Sequence, residues 1–141
     1  MIVRRSVTVS APAERAFRAF TEEIGQWWPL AQGITFLGEK AKDMILEGRV
    51  GGRLYERGSD GTEHVIGEVR TYEPPSRVLF TWNDSDGSTE VEVRFTQEDG
   101  ATRVELEHRG FESLGAKAEE AFNSYNEGWV TVLGFYEKHA A

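Results

Sequence analysis

The sequence predicts an α+β domain in which a long C-terminal helix lies against one face of a curved antiparallel sheet. Three observations support this prediction. From Ala116 to Ala141, apolar and aromatic residues recur every three or four positions, which is the spacing of a helix stripe. Six segments of strand length come before this helix, separated by short turns rich in Gly, Pro and Asp. The last two segments alternate apolar and charged residues, so one face of the sheet is expected to be covered.

The N-terminal part of the chain predicts one strand and two short helices. Ile2–Val9 alternates apolar and polar residues, which indicates a strand. Ser10 is expected to be the N-cap of the first helix, with Pro12 just inside it. Residues 21–28 predict a second short helix, which ends before Pro29 because proline clashes with the preceding turn.

The rest of the chain before the long helix predicts strands. Residues 30–43 are expected to contain one short strand around Ile34–Leu37. The six clearer strands are Met44–Arg49, Gly52–Arg57, Thr62–Tyr72, Arg77–Trp82, Thr89–Thr96 and Thr102–Arg109. In the last of these, alternation places His108 on the covered face with Val104 and Leu106. Because a strongly bent sheet and a straight helix cannot touch along their full length, a ligand cavity is expected between them.

Composition limits the class of function. A length of 141 residues predicts one domain spanning residues 1–141, and a net charge of −8 disfavours binding to nucleic acid or anionic membranes. The absence of cysteine excludes disulfides, thiolate metal sites and a cysteine nucleophile. No apolar run has the length of a signal peptide or a membrane span, so a cytoplasmic location is expected.

Several motifs, in order along nearly the whole chain, carry a family resemblance. They are Ile24–Pro29, Val50–Arg53, Asp60–Gly61, Gly67–Val69, Glu73–Trp82 and Gly128–Trp129. Together they resemble the START-like superfamily (SRPBCC, the birch-pollen-allergen fold), and within it the AHSA-like family, named for the activator of the Hsp-90 ATPase. The resemblance implies a helix-grip fold whose cavity usually takes apolar or amphipathic small molecules. Some superfamily members are aromatase/cyclases or hydrolases.

The candidate ligand-binding residues are mostly aromatic, since large rings with a polar tip suit the wall of a pocket, although they suit an ordinary core equally well. They are Trp27, Trp28, Tyr55, Phe80, Trp82, Phe95, His108, Phe122, Tyr125 and Trp129. The adjacent indoles Trp27 and Trp28 are not expected to face one core together. One of them is therefore expected at the cavity mouth, or in a homodimer contact.

The chemistry of the site is less well defined. His108 is the candidate acid/base residue, and the alternative interpretation is a buried, hydrogen-bonded histidine. No motif for a metal, a phosphate loop or a serine nucleophile is present, and neither a metal nor a cofactor is expected. The charged residues Glu47, Arg53, Glu56 and Glu68 would need partners if they faced inward, and a bulge at Gly51–Gly52 would reverse their alternation.

The leading hypothesis is a protein that binds a small apolar or amphipathic ligand, with Tyr55, His108 or Tyr125 fixing its orientation. The second is a protein-interaction module that acts on a chaperone or forms a homodimer, with an exposed apolar patch around Trp27 and Trp28. The third is a cyclase or hydrolase that uses the same cavity, with His108 as acid/base.

Overall fold

The computed structural model describes all 141 residues, which form seven strands and three α-helices. The strands are β1 Val3–Val9, β2 Ala41–Leu46, β3 Arg53–Gly58, β4 Glu63–Glu73, β5 Arg77–Asp84, β6 Gly87–Glu98 and β7 Ala101–Arg109. The helices are α1 Ala13–Phe20, α2 Ile24–Trp27 and α3 Ala118–Ala140, with 3₁₀ turns at Leu30–Gln32, Gly38–Lys40 and Phe111–Lys117. None of the helices is long and apolar enough to cross a membrane.

All seven strands belong to one antiparallel sheet in the order β1-β7-β6-β5-β4-β3-β2. The first strand pairs with the last, and Val3 lies opposite His108 while Val9 lies opposite Thr102. The sheet curls around α3 as a half-barrel. The predicted α+β helix-grip class is therefore confirmed, including the short helices after the first strand.

The inner face of the sheet is apolar and α3 lies against it. In β7, Val104, Leu106 and His108 are all 1% exposed or less, whereas the alternating residues Arg103 and Glu105 lie on the outer face in water. This period of two is the one that sequence alternation predicts. On α3, Trp129, Leu133 and Tyr136 form part of the buried stripe that meets the sheet.

A glycine in β4, Gly67, lies where the strand register shifts. The register between β3 and β4 shifts where Leu54 opposite Gly67 gives way to Tyr55 opposite Val65. A Cβ atom at Gly67 would lie 1.7 Å from the backbone oxygen of Thr81 on β5. The close approach of two backbones at a bulge therefore requires glycine at this position.

Two sequence predictions about the N-terminal region are wrong. Helix α1 begins at Ala13 with Pro12 at the N-cap, and Ser10 makes no cap; instead the Ala13 amide donates to Oε1 of Gln97 at 2.7 Å. Gln97 belongs to β6, so this capping bond joins residues that are distant in sequence and cannot be predicted from local spacing. The segment Ile34–Leu37 is a loop and not a strand, because its amides bond to a side chain and not to a neighbouring strand.

The expectation that Trp27 and Trp28 cannot share one core is also wrong. Both are buried, 5% and 7% exposed, because the chain leaves the helix at Trp28 with φ −58° and ψ 128°. The Trp27 indole donates to the backbone oxygen of Ala19 at 2.7 Å, and the Trp28 indole donates to that of Ile34 at 2.9 Å. The two rings thus reach the same core from different backbone directions.

Candidate functional site

The concavity nearest to the predicted cavity opens between the 34–37 loop, β3, β5 and α3. Its volume is about 220 Å³, below the roughly 300–1,000 Å³ of typical ligand pockets. It is lined by Trp28, Ile34, Thr35, Phe36, Glu56, Trp82 and Tyr125. We call it the tryptophan pocket.

The space between α3 and the sheet is largely filled by the protein's own rings. The centroids of Trp28 and Trp82 are 5.9 Å apart, and Trp129 lies 5.8 Å from Trp28 and 5.9 Å from Trp82. All three rings are buried. In place of the expected cavity between helix and sheet, the structure has a shallow pocket in front of a packed indole triangle, because these large side chains occupy the gap that a bent sheet would leave.

His108 lies behind this triangle in a fully satisfied hydrogen-bond network. The Trp129 indole donates to Nδ1 of His108 at 3.0 Å, and Nε2 of His108 lies 2.7 Å from Oγ1 of Thr89. An indole N–H can only donate, so Nδ1 must be unprotonated and the ring proton sits on Nε2. Thr89 then accepts from His108 and donates to the backbone oxygen of Trp82 at 3.0 Å.

This network keeps the imidazole neutral. Burial lowers the pKa of His108 from 6.5 to about 3. Both ring nitrogens are engaged within the protein, the side chain is 0% exposed, and it does not line the tryptophan pocket. The arrangement matches a buried structural histidine and offers no free nitrogen for proton exchange with a ligand.

Tyr125 presents an available donor to the pocket. Its hydroxyl oxygen accepts a hydrogen bond from the Trp82 indole at 2.9 Å, and the phenolic proton has no acceptor within the protein. Burial raises the pKa of Tyr125, so the group is a neutral phenol at physiological pH. It can therefore donate to an acceptor atom on a bound molecule.

Glu56 is a buried carboxylate at the same pocket. It is 1% exposed, and it accepts hydrogen bonds from the Phe36 amide at 2.9 Å, the Leu37 amide at 3.1 Å and the Thr35 hydroxyl. We call this set of bonds the Glu56 latch, because it ties the 34–37 loop to β3. The sequence leaves the orientation of Glu56 open, because a bulge at Gly51–Gly52 would reverse the alternation; in the structure Glu56 lies on the same face of β3 as the fully buried Leu54.

The other charged residues of this region do not enter the cavity. Arg53 pairs with Glu47 at 3.2 Å but is 41% exposed, and Glu68 pairs with Arg70 on the surface. Arg53 therefore forms no ion pair with Glu47 or Glu68 inside the cavity. The reason is that inward-facing positions of β3 are the even-numbered ones, Leu54 and Glu56.

The structure brings together some of the predicted ligand-binding residues and separates others. Trp28, Trp82 and Tyr125 line the tryptophan pocket, and Trp129 and His108 pack behind them. The Tyr55 ring contacts two arginines. Cζ of Arg53 lies 4.1 Å from the ring centroid, and Nη2 of Arg57 donates to the Tyr55 hydroxyl at 3.0 Å. Since these arginines are exposed, Tyr55 belongs to the outer face of the sheet.

The remaining predicted residues belong to the core away from the pocket. Phe95 packs under α1, 5.1 Å from Phe17, and Phe122 lies 5.7 Å from Phe111 near the start of α3. Phe80 and Trp27 are buried members of the core. Of the other two histidines, His64 stacks on Phe36 at 4.7 Å, and His139 bonds Glu23 at 2.7 Å near the end of α3.

A second concavity lies on a different part of the surface. It has a volume of about 440 Å³ and runs between α1 and the turns beside Tyr72. Its lining is Glu14, Phe17, Arg18, Thr21, Glu22, Gly48, Tyr72, Pro74 and Pro75. We call it the α1 groove. It shares no residue with the tryptophan pocket, so the two are distinguishable by experiment.

Known proteins similar to this chain agree with the fold. Residues 10–135 match the family described as Activator of Hsp90 ATPase homolog 1-like protein. CalC, a self-sacrificing resistance protein from Micromonospora echinospora, is 31% identical with a TM-score of 0.72, over 99% of this chain and 93% of CalC. Txn09, an anthrahydroquino-gamma-pyrone synthase complexed with SUM, is 34% identical with a TM-score of 0.59, over 89% of this chain and 84% of Txn09.

The protein MLL2253 from Mesorhizobium loti shares the fold at 21% identity, with a TM-score of 0.73 over 98% of this chain and 95% of that chain. A comparison with curated proteins found no match. The family match covers nearly the whole chain, and the family predicted from the sequence motifs is confirmed. The chain belongs to the Activator of Hsp90 ATPase homolog 1-like protein family.

Proposed function

We propose that the protein binds a planar, amphipathic aromatic molecule at the tryptophan pocket. The observation that carries this proposal is the Tyr125 hydroxyl, whose proton has no acceptor in the protein and which lines the same pocket as the indoles of Trp28 and Trp82. Trp28 and Trp82 would supply flat apolar surface for stacking once the 34–37 loop moves aside, and Tyr125 supplies one directional hydrogen bond. A ligand that matches this wall has a flat ring system and a carbonyl oxygen.

The similar proteins support the ligand class. Txn09, 34% identical to this chain, is named as a synthase of an anthrahydroquino-gamma-pyrone, a name that denotes fused rings with a ring carbonyl. Such a molecule has the flatness that the indoles favour and an acceptor for Tyr125. The tryptophan pocket at about 220 Å³ is small for a fused-ring ligand, so binding is expected to displace the 34–37 loop, which belongs to no strand.

Nuclear magnetic resonance tests this proposal without any mutation. Anthraquinone, a flat ring system with two carbonyls, is titrated into ¹⁵N-labelled protein while the four indole N–H signals are followed. Trp28 and Trp82 are expected to shift most, and Trp27 least, because its indole is bonded to the backbone oxygen of Ala19 away from the pocket. No shift at any indole, or shifts centred on Tyr72 and Gly48 in the α1 groove, would overturn the proposal.

The second candidate function is catalysis on such a molecule, and the 34% sequence identity with the synthase Txn09 favours it. In that case Tyr125 would polarise a ligand carbonyl, since His108 has no free nitrogen. Product analysis after incubation with a candidate polyketide separates the two: Tyr125→Phe would abolish turnover while leaving the stacking surface intact. The interaction hypothesis has less support, because Trp27 and Trp28 form no exposed patch.

A further inference from the structure

We propose that the Glu56 latch makes the tryptophan pocket selective for ligands that carry a hydrogen-bond donor, such as a phenolic hydroxyl. This inference rests on the proposed function and adds a chemical requirement to it. The ligand would offer an acceptor to Tyr125 and a donor to Glu56. Flat aromatic molecules without a donor would bind more weakly.

The first argument is the unusual environment of Glu56. Its carboxylate is 1% exposed, yet it forms no ion pair with any Arg, Lys or His. Glu92, which is almost as buried, is surrounded by Arg77, Arg94 and Arg109. The negative charge of Glu56 is therefore stabilised by hydrogen-bond donors alone, and all of them come from residues 35–37.

The second argument is that the same residues form part of the pocket wall. Thr35, Phe36 and Glu56 all line the tryptophan pocket. Because the loop forms one wall of this pocket, a fused-ring molecule that enters it is expected to push the loop away from β3 and to break bonds of the latch. A buried carboxylate that loses its donors is costly, so a ligand that replaces them binds better than one that does not.

A matched pair of probes tests the requirement. 2-Hydroxyanthraquinone and 2-methoxyanthraquinone differ in one donor, and their dissociation constants are measured by quenching of tryptophan fluorescence at a pH where the phenol is protonated. The wild type is expected to prefer the hydroxy compound by about tenfold, the effect of one charge-assisted hydrogen bond. Glu56→Gln keeps one acceptor oxygen but removes the charge, so it should reduce this preference several-fold. Glu68→Gln, an exposed glutamate of β4, is the control and should keep it.

The outcomes separate the two proposals. An unchanged preference in Glu56→Gln overturns the role of Glu56 and leaves the proposed function standing. Failure of the folded wild type to bind either compound overturns both. If Glu56→Gln does not fold, Thr35→Val decides, because it removes one loop donor and leaves the carboxylate in place. The preference should then rise several-fold, and an unchanged preference overturns the inference.

Discussion

The indole N–H of Trp129 donates a hydrogen bond to Nδ1 of His108 across 3.0 Å, from the middle of α3 to the end of β7. This one contact determines the tautomer of the imidazole and links the long helix to the sheet. It also explains why His108, which points towards the expected cavity, has no ring nitrogen free to contact a ligand. Several measurable properties depend on it.

The first prediction is that His108 stays neutral across the physiological range. Burial lowers its pKa to about 3, so its ring nitrogens should show no titration between pH 5 and 8. Long-range ¹H–¹⁵N correlation spectra should show the proton on Nε2 throughout. A ring that titrates near pH 6.5, or a proton on Nδ1, would contradict the hydrogen-bond assignment.

The same shift predicts how stability depends on pH. Below about pH 6.5 the unfolded chain protonates His108 while the folded protein does not, so the free energy of unfolding falls as pH decreases towards about 3. The slope from this group is at most about 1.4 kcal/mol per pH unit. Urea denaturation between pH 6.5 and 5 should show this slope in the wild type and a flatter one in His108→Leu.

The second prediction concerns the energetic coupling of Trp129 and His108. Trp129→Phe leaves Nδ1 of His108 without a donor, and His108→Leu leaves the indole N–H without an acceptor; each is expected to cost about 1–3 kcal/mol beyond any packing loss. A double-mutant cycle by urea denaturation should give a coupling of about 1 kcal/mol or more. Additive effects would show that the contact contributes little.

The third prediction is that Glu92 stabilises the outer face of the sheet. Burial by itself would raise the pKa of Glu92, but hydrogen bonds from Arg77 and Arg109 outweigh it and lower the pKa to about 2. Glu92→Gln is expected to cost about 2 kcal/mol at pH 7, since its arginine partners are partly exposed. The wild type should lose this advantage as pH falls from about 4.5 towards 2.

Chemical denaturation at pH 7 and pH 3 checks the third prediction. Glu105→Gln is the control, because Glu105 lies on the same outer face but is 49% exposed. It should change the free energy of unfolding by less than about 0.5 kcal/mol at either pH. An equal effect of both substitutions would mean that the arginine cluster around Glu92 adds no stability.

The fourth prediction tests the glycine at the bend of β4. Gly67→Ala would place a carbon 1.7 Å from the Thr81 oxygen, so we expect a loss of about 4 kcal/mol or more, or failure to fold. Gly134→Ala is the matched control, because no heavy atom lies within 4 Å of a Cβ there. Within α3 it should stabilise the protein by about 0.5–1 kcal/mol. Thermal unfolding of both variants measures the contrast.

The fifth prediction concerns the Glu56 latch in the absence of ligand. The Phe36 and Leu37 amides donate to the carboxylate, so Glu56→Gln should speed their hydrogen exchange by about tenfold, which corresponds to about 1.4 kcal/mol. The Phe95 amide, bonded to the Ser76 oxygen, should keep its rate. Unchanged exchange at Phe36 and Leu37 would mean that other contacts hold the loop closed.

The sequence predicts the fold well because the signals are local. Alternation identifies the inward residues Val104, Leu106 and His108, and helical spacing identifies Trp129 and Tyr136. Each of these patterns is contained within a single strand or helix. The family motifs add the expectation of a helix-grip fold.

The site is less predictable because its interactions join distant segments. The Glu56 latch depends on a loop 19 to 21 residues away, and the cap of α1 depends on Gln97, 84 residues away. In β6, charged residues alternate with apolar ones, and Glu92 is one of the charged residues. It is buried because Arg77 of β5 and Arg109 of β7 lie beside it, and this depends on the register of the three strands. Whether rings fill a cavity depends on side-chain volumes in three dimensions, which a linear pattern does not contain.

The pairing of β1 with β7 has a consequence for how the protein forms in the cell. Arg4 and Glu107, which bond across these two strands, are 103 residues apart in the chain. On the ribosome, β1 emerges first but has no partner until β7 has been synthesised. β1 must therefore remain unpaired until β7 has been synthesised, and the sheet is expected to be completed late and slowly compared with a fold built from neighbouring contacts.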